Sequence, residues 1–353
     1  MTDSIAPPGA DEVELTAFGP RYGECVVVHL GLGEWMIVDS SIGSDGEPTA
    51  LSYLRRLGVD PAAQVLLIVA THWHDDHVRG LSTVVERCIK ARFACSAGLM
   101  RREIIERIGQ RHEPGRFGAR MSSGVDEIRR TLEVLARGRG RPAPLWALER
   151  RELFHRHAGV NAIVTALSPS DRAISNAYRE IASLVAATDR GRRVPRPRTD
   201  AAAVALWVEV GDAPLLLGSD VVDSTSSDLG WAGVLQSVLP VERKAEIFKV
   251  PHCGAADGFN RDVWDELVAP QAHAIISPCA IGPTVLPTAD DLVRLSSVTS
   301  HLHITSLEHL QEPTGRIRAA EVLTGRVTLR RRIGSIGDWS VSHEAPAAAV
   351  VPV

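Results

Sequence analysis

Four side chains that can bind a metal ion lie within six residues of this sequence. They are His72, His74, Asp76 and His77, and they follow the uninterrupted apolar run Val65–Ala70. Clustering imidazoles and carboxylates costs solvation and conformational freedom, and the usual compensation is coordination of a divalent cation. A solvated loop that holds three histidines by chance is the alternative interpretation. The spacing favours a metal site at the end of a buried strand, where layered α/β folds commonly place ligand-binding groups.

The same four residues reproduce a family signature. His72, His74, Asp76 and His77 match the HxHxDH pattern, so the chain resembles the metallo-β-lactamase superfamily. The resemblance implies an α/β fold of the αββα type, a sandwich of two mixed β-sheets flanked by helices. It also implies hydrolysis that depends on bound metal. The substrate does not follow from the fold, because one fold hosts many reactions.

Two residues further along the chain correspond to additional ligands of that superfamily. Asp220 follows the apolar run Leu215–Ser219, as an aspartate does in the family's "LLLTGD" strand. His252 lies in Lys249–Gly254, which is similar to the "KVPHHGS" segment in the hydrolase domain of ComEC-type competence proteins. Weaker matches to that subfamily occur in its order: Gly23-Glu24, Ile37–Asp39, Leu167–Pro169 and the His273–Ser277 strand. By resemblance, Asp220 and His252 complete the metal site.

The chain departs from the superfamily pattern at one ligand. Many two-metal members carry another histidine in a "GHTxG" segment before the bridging aspartate, and nothing of that form occurs between Arg79 and Ser219. ComEC-type domains resemble this chain in lacking it. Asp200 is a candidate substitute. If residues 201–209 and 215–218 form an antiparallel hairpin, the start of the first strand lies beside the end of the second, which brings Asp200 close to Asp220. A carboxylate that supports the ligands from behind, or a plain turn residue, is the alternative role.

The resemblance divides the six main candidates between two Zn²⁺ ions: His72 and His74 on one, Asp76, His77 and His252 on the other, and Asp220 bridging both. Bound Zn²⁺ lowers the pKa of its water from 15.7 to roughly 7, which supplies a hydroxide nucleophile at neutral pH. Asp76 is also the candidate catalytic residue, since it can orient that water. A single ion, or Mn²⁺ in place of Zn²⁺, stays open, because histidine and carboxylate ligands accept both metals.

Charge is distributed unevenly along the chain. Residues 101–200 contain 21 arginines, no lysine and 12 acidic residues, a balance of +9 in a chain of net charge -4. Basic segments attract phosphate-rich partners, although solvated arginines on exposed helices are the commoner explanation. Together with the subfamily resemblance, the charge favours a phosphodiesterase or nuclease acting on nucleic acid or a nucleotide.

Two other functions fit the same residues. Hydrolysis of a small ester or amide, such as a lactone or β-lactam, would leave the arginines as a solvated surface. A metal-stabilised regulatory module that has lost turnover would bind metal without hydrolysis. The sequence does not identify a protein partner.

Alternating turn signals and apolar runs predict the elements that must position these residues. A β-meander over Val13–Val38 and a helix over Pro48–Leu57 precede the buried strand Val65–Ala70. Further helices are predicted over Gly80–Ile89, Ser96–Gln110, Val125–Arg137 and Ile174–Ala187, with a hairpin turning at Val210–Pro214. The last third alternates helices with strands, including one over Glu246–Val250 and one over Ile317–Ala320.

The predicted organisation is a flexible N-terminus over residues 1–12, one domain over 13–332 and a loosely held tail over 333–353. The domain contains the arginine-rich segment, at about residues 97–200. The first twelve residues lack the basic start and apolar run of a signal peptide, and no apolar run approaches the roughly 20 residues that span a bilayer. Five cysteines without regular spacing predict reduced thiols and a cytoplasmic protein that does not contact membranes.

Overall fold

The computed structural model describes residues 6–19, 23–99, 123–189, 200–237, 242–281, 284–306, 325–344 and 348–350. Its strands are β1 (Glu12–Gly19), β2 (Cys25–His29), β3 (Trp35–Val38), β4 (Val65–Ala70), β5 (Arg92–Ser96), β6 (Leu145–Ala147), β7 (Arg151–Arg156), β8 (Ala162–Ala166), β9 (Leu206–Val210), β10 (Ala213–Leu217), β11 (Ala245–Lys249), β12 (Val268–Ile276), β13 (Cys279–Ile281), β14 (Thr284–Leu286), β15 (His301–Ile304), β16 (Gly325–Arg332), β17 (Ser340–Glu344) and β18 (Ala348–Val350). Its helices are α1 (Thr49–Arg56), α2 (Pro61–Gln64), α3 (Asp75–Val78), α4 (Leu81–Arg87), α5 (Ser123–Arg137), α6 (Asp171–Asp189), α7 (Gly230–Ser237), α8 (Arg261–Glu266) and α9 (Ala289–Ser296).

Two eight-stranded sheets with related topologies form the centre of the molecule. The first has the order β17-β16-β1-β2-β3-β4-β5-β6, and the second β18-β15-β12-β11-β10-β9-β8-β7. In the first sheet the pairs from β16 to β3 are antiparallel, and those from β3 to β6 are parallel. In the second sheet the pairs from β7 to β10 are antiparallel, and those from β10 through β11 and β12 to β15 are parallel. Both sheets are therefore mixed.

Burial of both sheet faces explains why the central strands are continuous apolar runs rather than alternating ones. In β4, Leu67 and Val69 pack into the core between the two sheets, whereas Ile68 and Ala70 pack against α1, α4 and α5. A third core joins the outer face of the second sheet to α7, α8 and α9. The layers are helix, sheet, sheet and helix, which confirms the predicted αββα sandwich.

Several predicted elements are confirmed. The helix predicted over Gly80–Ile89 is α4, and the predicted hairpin is β9 and β10, which turn at Gly211-Asp212. The helix predicted over Ser96–Gln110 is wrong in its first residues, because Ser96 ends strand β5 and a 3-10 turn follows over Ala97–Leu99. The remainder of that helix and the strand predicted over 317–320 lie outside the described residues.

The C-terminal segment differs from the expected loose tail. β17 pairs with β16 of the first sheet, and β18 pairs with β15 of the second. The segment that contains β17 and β18 therefore adds one strand to each sheet. Its backbone hydrogen bonds cover the edges of β16 and β15, which would otherwise be unpaired. Local composition does not predict these strands, since β17 and β18 each contain a single β-branched residue and no aromatic ring of the Phe, Tyr or Trp type.

A row of three histidines joins the two sheets at this crossing. The Nδ1 atom of His273 on β12 lies 3.0 Å from Nε2 of His303 on β15, and Nδ1 of His303 lies 3.1 Å from Nε2 of His343 on β17. His301 stacks on His273 with ring centroids 4.7 Å apart. Burial and the neighbouring imidazoles lower the pKa of His303 to about 3 and that of His273 to about 4. The row is therefore uncharged at neutral pH.

This histidine row makes stability fall as the pH is lowered. In the unfolded chain each imidazole takes up a proton near pH 6.5, whereas folded His303 stays neutral until about pH 3. Between those values one such group removes about 1.4 kcal/mol of folding free energy per pH unit. We expect the unfolding temperature, measured by circular dichroism, to decrease less in His303→Leu than in the wild type when the pH is lowered from 7 to 4.5. His157→Leu, at an exposed histidine outside the row, is the control, and identical pH slopes in the wild type and His303→Leu would refute the assignment.

Among the described residues, no helix combines the length and the apolar character needed to cross a membrane.

Candidate metal centre

The predicted ligands lie on turns at one edge of the sandwich. β3 is followed by Asp39, and β4 is followed by the turn that carries His72 to His77. In the second sheet, β10 is followed by Asp220 and β11 by His252. Because parallel strands end at the same edge, and the two sheets face each other across a shared core, these turns converge.

Four ligand-type side chains share the centre of this edge. One nitrogen or oxygen from each of His72, His74, Asp200 and Asp220 lies within 4.8 Å of all the others. The His72 Nε2 atom is 3.4 Å from Asp220 Oδ2, and His74 Nδ1 is 3.2 Å from Asp200 Oδ1. The β9–β10 register, in which Leu206 faces Leu217, brings Asp200 to this place as the hairpin geometry predicts.

His77 and His252 lie beside the four-residue group rather than within it. The Nε2 atom of His77 is 3.4 Å from Asp220 Oδ1, whereas His72 faces the other carboxylate oxygen, Oδ2. His252 Nδ1 lies 2.8 Å from Asp257 Oδ1, and its backbone N–H donates to Ser219 O. The hydrogen bond with Asp257 raises the pKa of His252 to about 9. Asp220 thus lies between two histidines of the first sheet, with His252 on the adjoining turn.

Asp76 is placed mainly through its backbone. Its carbonyl oxygen accepts a 2.8 Å hydrogen bond from the backbone N–H of Glu24. Its carboxylate is one of three that oppose the lowering of the His74 pKa, the others being Asp200 and Asp220, but burial and the charge of His72 prevail. The catalytic and ligand roles of Asp76 stay predictions.

Asp39 organises the first-sheet turn, a role that the sequence did not reveal. Its two carboxylate oxygens accept hydrogen bonds from Thr71 N (2.8 Å) and Thr71 Oγ1 (2.7 Å). The second oxygen is also 2.7 Å from His77 Nδ1. This contact holds the His77 ring through Nδ1, so that Nε2, directed at Asp220, is the nitrogen available for a metal ion. The sequence signals were an aspartate at the end of an apolar strand and the weak subfamily match of Ile37–Asp39, and neither indicated this role.

The electrostatics of the centre favour a cation. Asp220 is only 4% exposed, yet His77 and His72 outweigh the effect of burial and hold its pKa well below its ordinary value. For His77, Asp220 and Asp39 outweigh burial and raise the pKa well above its ordinary value. Asp220 therefore stays ionised inside the protein, and positive charge beside it is stabilising.

Unusual backbone conformations concentrate in the same turns. Of the six described non-glycine residues with positive φ, four lie at this edge: Asp39 (59°), Ser219 (49°), His252 (48°) and Cys253 (53°). Left-handed backbone is unfavourable for most L-residues and tends to persist where the surrounding structure imposes it, often at functional sites. The surrounding structure therefore holds these turns in a backbone conformation that positions the side chains of the candidate ligands and of Asp39.

Buried polar atoms without hydrogen-bond partners test whether a metal fits. His72 Nε2, Asp200 Oδ1 and Asp220 Oδ1 are buried and lack a partner among the described residues. Such orphaned acceptors are costly, and most buried polar groups are satisfied. One divalent cation would satisfy all three at once, with imidazole nitrogen and carboxylate oxygen as ligands. The donor set fits a divalent metal ion.

Comparison with known families finds one family model that matches part of the chain. Residues 18–145, which include the first-sheet turn, match the model of the metallo-β-lactamase superfamily. Over these residues the chain is similar to that superfamily. Its αββα architecture matches the metallo-β-lactamase fold, and its His/Asp cluster fits the binding of divalent metal ions.

Solved structures similar to this chain have low sequence identity to it. The metallo-β-lactamase fold protein YhfI from Bacillus subtilis is 12% identical, with a TM-score of 0.43, over 83% of this chain and 95% of that one. A Cronobacter sakazakii metallo-β-lactamase with a HARLDQ motif is 13% identical, with a TM-score of 0.34, over 66% of this chain and 73% of that one. A search of curated protein sequences found no match.

A disulfide next to His252 corrects the prediction that all five cysteines are reduced. Cys253 and Cys279 are bonded, with Cα atoms 5.9 Å apart. Cys25, Cys88 and Cys95 are free and buried, and burial raises the pKa of Cys25 and Cys88 to about 12. The sequence spacing does not predict the bond, since the two residues are 26 positions apart. Cys253 lies in the turn after β11, and Cys279 is the first residue of β13.

Reduction of this disulfide should destabilise the fold. Closing a loop of this length lowers the entropy of the unfolded chain, which corresponds to about 3.5 kcal/mol of stability. We expect dithiothreitol to lower the free energy of unfolding of the wild type by that order, measured by urea denaturation. The variant Cys253→Ala/Cys279→Ala should start lower and not respond to dithiothreitol. A wild type that is equally stable with and without the reductant would contradict the prediction.

Proposed function

We propose that this chain is a metal-dependent phosphodiesterase or nuclease. The observation that carries the proposal is the convergence of His72, His74, Asp200 and Asp220, three of which present buried acceptor atoms without partners. The superfamily consists mostly of metal-dependent hydrolases, so catalysis is the first function to test.

The site would hold one or two divalent ions, Zn²⁺ or Mn²⁺, and its residues would have different roles around them. Bound metal supplies Lewis-acid charge and lowers the pKa of water to roughly 7. His72, His74, Asp200 and Asp220 would hold one ion, and His77, with Asp76 and His252, would serve a second. Asp39 would keep His77 oriented through its Nδ1 atom. Asp76 would orient the attacking water.

The arrangement of arginines supports a phosphodiester substrate. Several arginines of the basic segment face carboxylates, such as Arg129 with Glu133, Arg156 with Glu34 and Arg172 with Asp228. Residues 100–122 and 190–199 together contain eleven further arginines and three glutamates. Described residues that follow the two stretches lie near the centre: Gly124 N donates to Asp75 Oδ1, and Asp200 is a candidate ligand. Their composition suits an anionic polymer.

The match of Lys249–Gly254 to ComEC-type domains points to the same substrate class. Those domains resemble this chain in lacking the "GHTxG" histidine. A cytoplasmic location remains part of the proposal, although a disulfide is uncommon in that compartment.

The test is a paired hydrolysis assay on chelator-stripped protein reloaded with Zn²⁺ or Mn²⁺. We expect cleavage of DNA, RNA or bis-p-nitrophenyl phosphate, and no turnover of a lactone or nitrocefin. Cleavage of the polymers should fall steeply as salt is raised, whereas cleavage of the small diester should change little. Failure to cleave any diester would refute the proposal, and lactone or nitrocefin turnover alone would select the small ester or amide. Stoichiometric metal without hydrolysis would select the regulatory module.

A further inference from the structure

A buried ion pair joins the two sheets directly beneath the candidate metal centre. Lys249, the last residue of β11, is fully buried, and its Nζ atom donates to Glu24 Oε2 at 2.6 Å. Glu24 precedes β2 of the first sheet and is 6% exposed. The two residues are 225 positions apart, so this contact exists only in the folded chain.

On the first-sheet side, Glu24 is bonded to the turn that carries the HxHxDH residues. Its backbone N–H donates to Asp76 O at 2.8 Å. The preceding Gly23 has φ 120°, and a Cβ there would lie 2.8 Å from the same carbonyl oxygen. This close approach leaves no room for a side chain at Gly23. The backbone of Gly23 and Glu24 is thus packed directly against Asp76, so a shift of Glu24 would shift the turn that carries His72 to His77.

On the second-sheet side, Lys249 is bonded to the two other ligand-bearing turns. Its carbonyl oxygen accepts from Gly218 N at 2.9 Å, two residues before Asp220. Three residues after Lys249, the backbone N–H of His252 donates to Ser219 O at 2.9 Å. One side-chain contact thus connects the turns that carry His72–His77, Asp220 and His252.

Stability alone is a poor reason for such a pair. Taking two charges out of water is costly, and replacing a buried ion pair by apolar residues of similar volume is often neutral or stabilising. A charged contact does, however, fix distance and direction more strictly than an apolar one.

We propose that Glu24 and Lys249 form a positioning pair that holds the turns of the two sheets at the spacing needed for metal binding. The inference rests on the proposed metal-dependent function. Neither residue contacts substrate; both act through the backbone of the ligand-bearing turns.

The experiment compares metal affinity with stability in Glu24→Leu/Lys249→Met, by competition of Zn²⁺ and Mn²⁺ with a chromogenic chelator and by thermal unfolding of the metal-free proteins. We expect metal affinity to fall about tenfold or more, as it does when groups supporting ligands are removed, with the unfolding temperature unchanged or raised. The control Arg261→Met/Asp265→Leu removes an exposed pair (3.0 Å) on α8 and should keep wild-type affinity.

A second pair of variants decides the matter if the double variant does not fold. Glu24→Gln and Glu24→Leu both remove the negative charge, but only glutamine keeps an oxygen that can accept from Lys249 Nζ. We expect markedly tighter metal binding in Glu24→Gln than in Glu24→Leu. Equal affinity in that pair, or wild-type affinity in Glu24→Leu/Lys249→Met, would overturn the positioning role and leave the metal site standing. A wild type that binds no metal would instead overturn the proposed function.

Discussion

Asp220→Asn is expected to abolish metal-dependent hydrolysis and to remove most of the bound metal. Asp220 presents Oδ2 to His72 and Oδ1 to His77, each at 3.4 Å, so one carboxylate faces two histidines of the first-sheet turn. Asparagine keeps the size of the side chain but replaces one charged oxygen by an amide. Since losing even an outer partner of a ligand costs about 10- to 100-fold in metal affinity or activity, we expect a loss greater than about 100-fold in both.

Metal content after dialysis, measured by plasma mass spectrometry, and diester hydrolysis should fall together in Asp220→Asn. The control is Asp228→Asn, at an aspartate whose side chain is 41% exposed and pairs with Arg172 at 2.9 Å. It should keep the wild-type metal content and rate. If Asp220→Asn kept its full metal complement, the assignment of this edge as the metal centre would be wrong.

The architecture around Asp220 could be predicted because local patterns determine it. An apolar run such as Val65–Ala70 predicts a strand buried on both faces, and β4 is an interior strand of the first sheet, between β3 and β5. The turn at Gly211-Asp212 follows from two apolar runs separated by glycine and polar residues. From that hairpin, antiparallel pairing is enough to place Asp200 beside Asp220.

The supporting contacts could not be predicted, because they join distant positions whose residue types are common. Glu24 and Lys249 lie in segments that resemble a known subfamily, yet no spacing relates an acid to a base across 225 residues. Asp39 follows an apolar strand, and only its left-handed backbone, φ 59°, turns its carboxylate towards Thr71 and His77. The pairing of Cys253 with Cys279 likewise depends on how β11 and β12 end side by side.

The missing histidine makes Asp200 the most informative position for the identity of the metal. Its side chain is 26% exposed and contacts His74, and its Oδ1 atom is one of the buried acceptors without a partner. A carboxylate in place of an imidazole makes the ligand set harder, and oxygen ligands suit Mn²⁺ better than nitrogen ligands do. We therefore expect Asp200→Ala to lose about 10- to 100-fold in affinity for one ion, comparable with the loss of a group that supports a ligand.

Asp200→His separates a ligand role from a purely structural one. Histidine at this position would restore a third imidazole beside His72 and His74, so we expect affinity for Zn²⁺ to recover above that of Asp200→Ala and selectivity to shift from Mn²⁺ towards Zn²⁺. Dialysis against equal concentrations of the two metals, followed by metal analysis, measures both effects. Asp189→Ala, at the end of α6, is the control and should leave metal content unchanged. If Asp200→Ala and Asp200→His bound both metals as the wild type does, Asp200 would be a turn residue only, and the first ion would depend on His72, His74 and Asp220 alone.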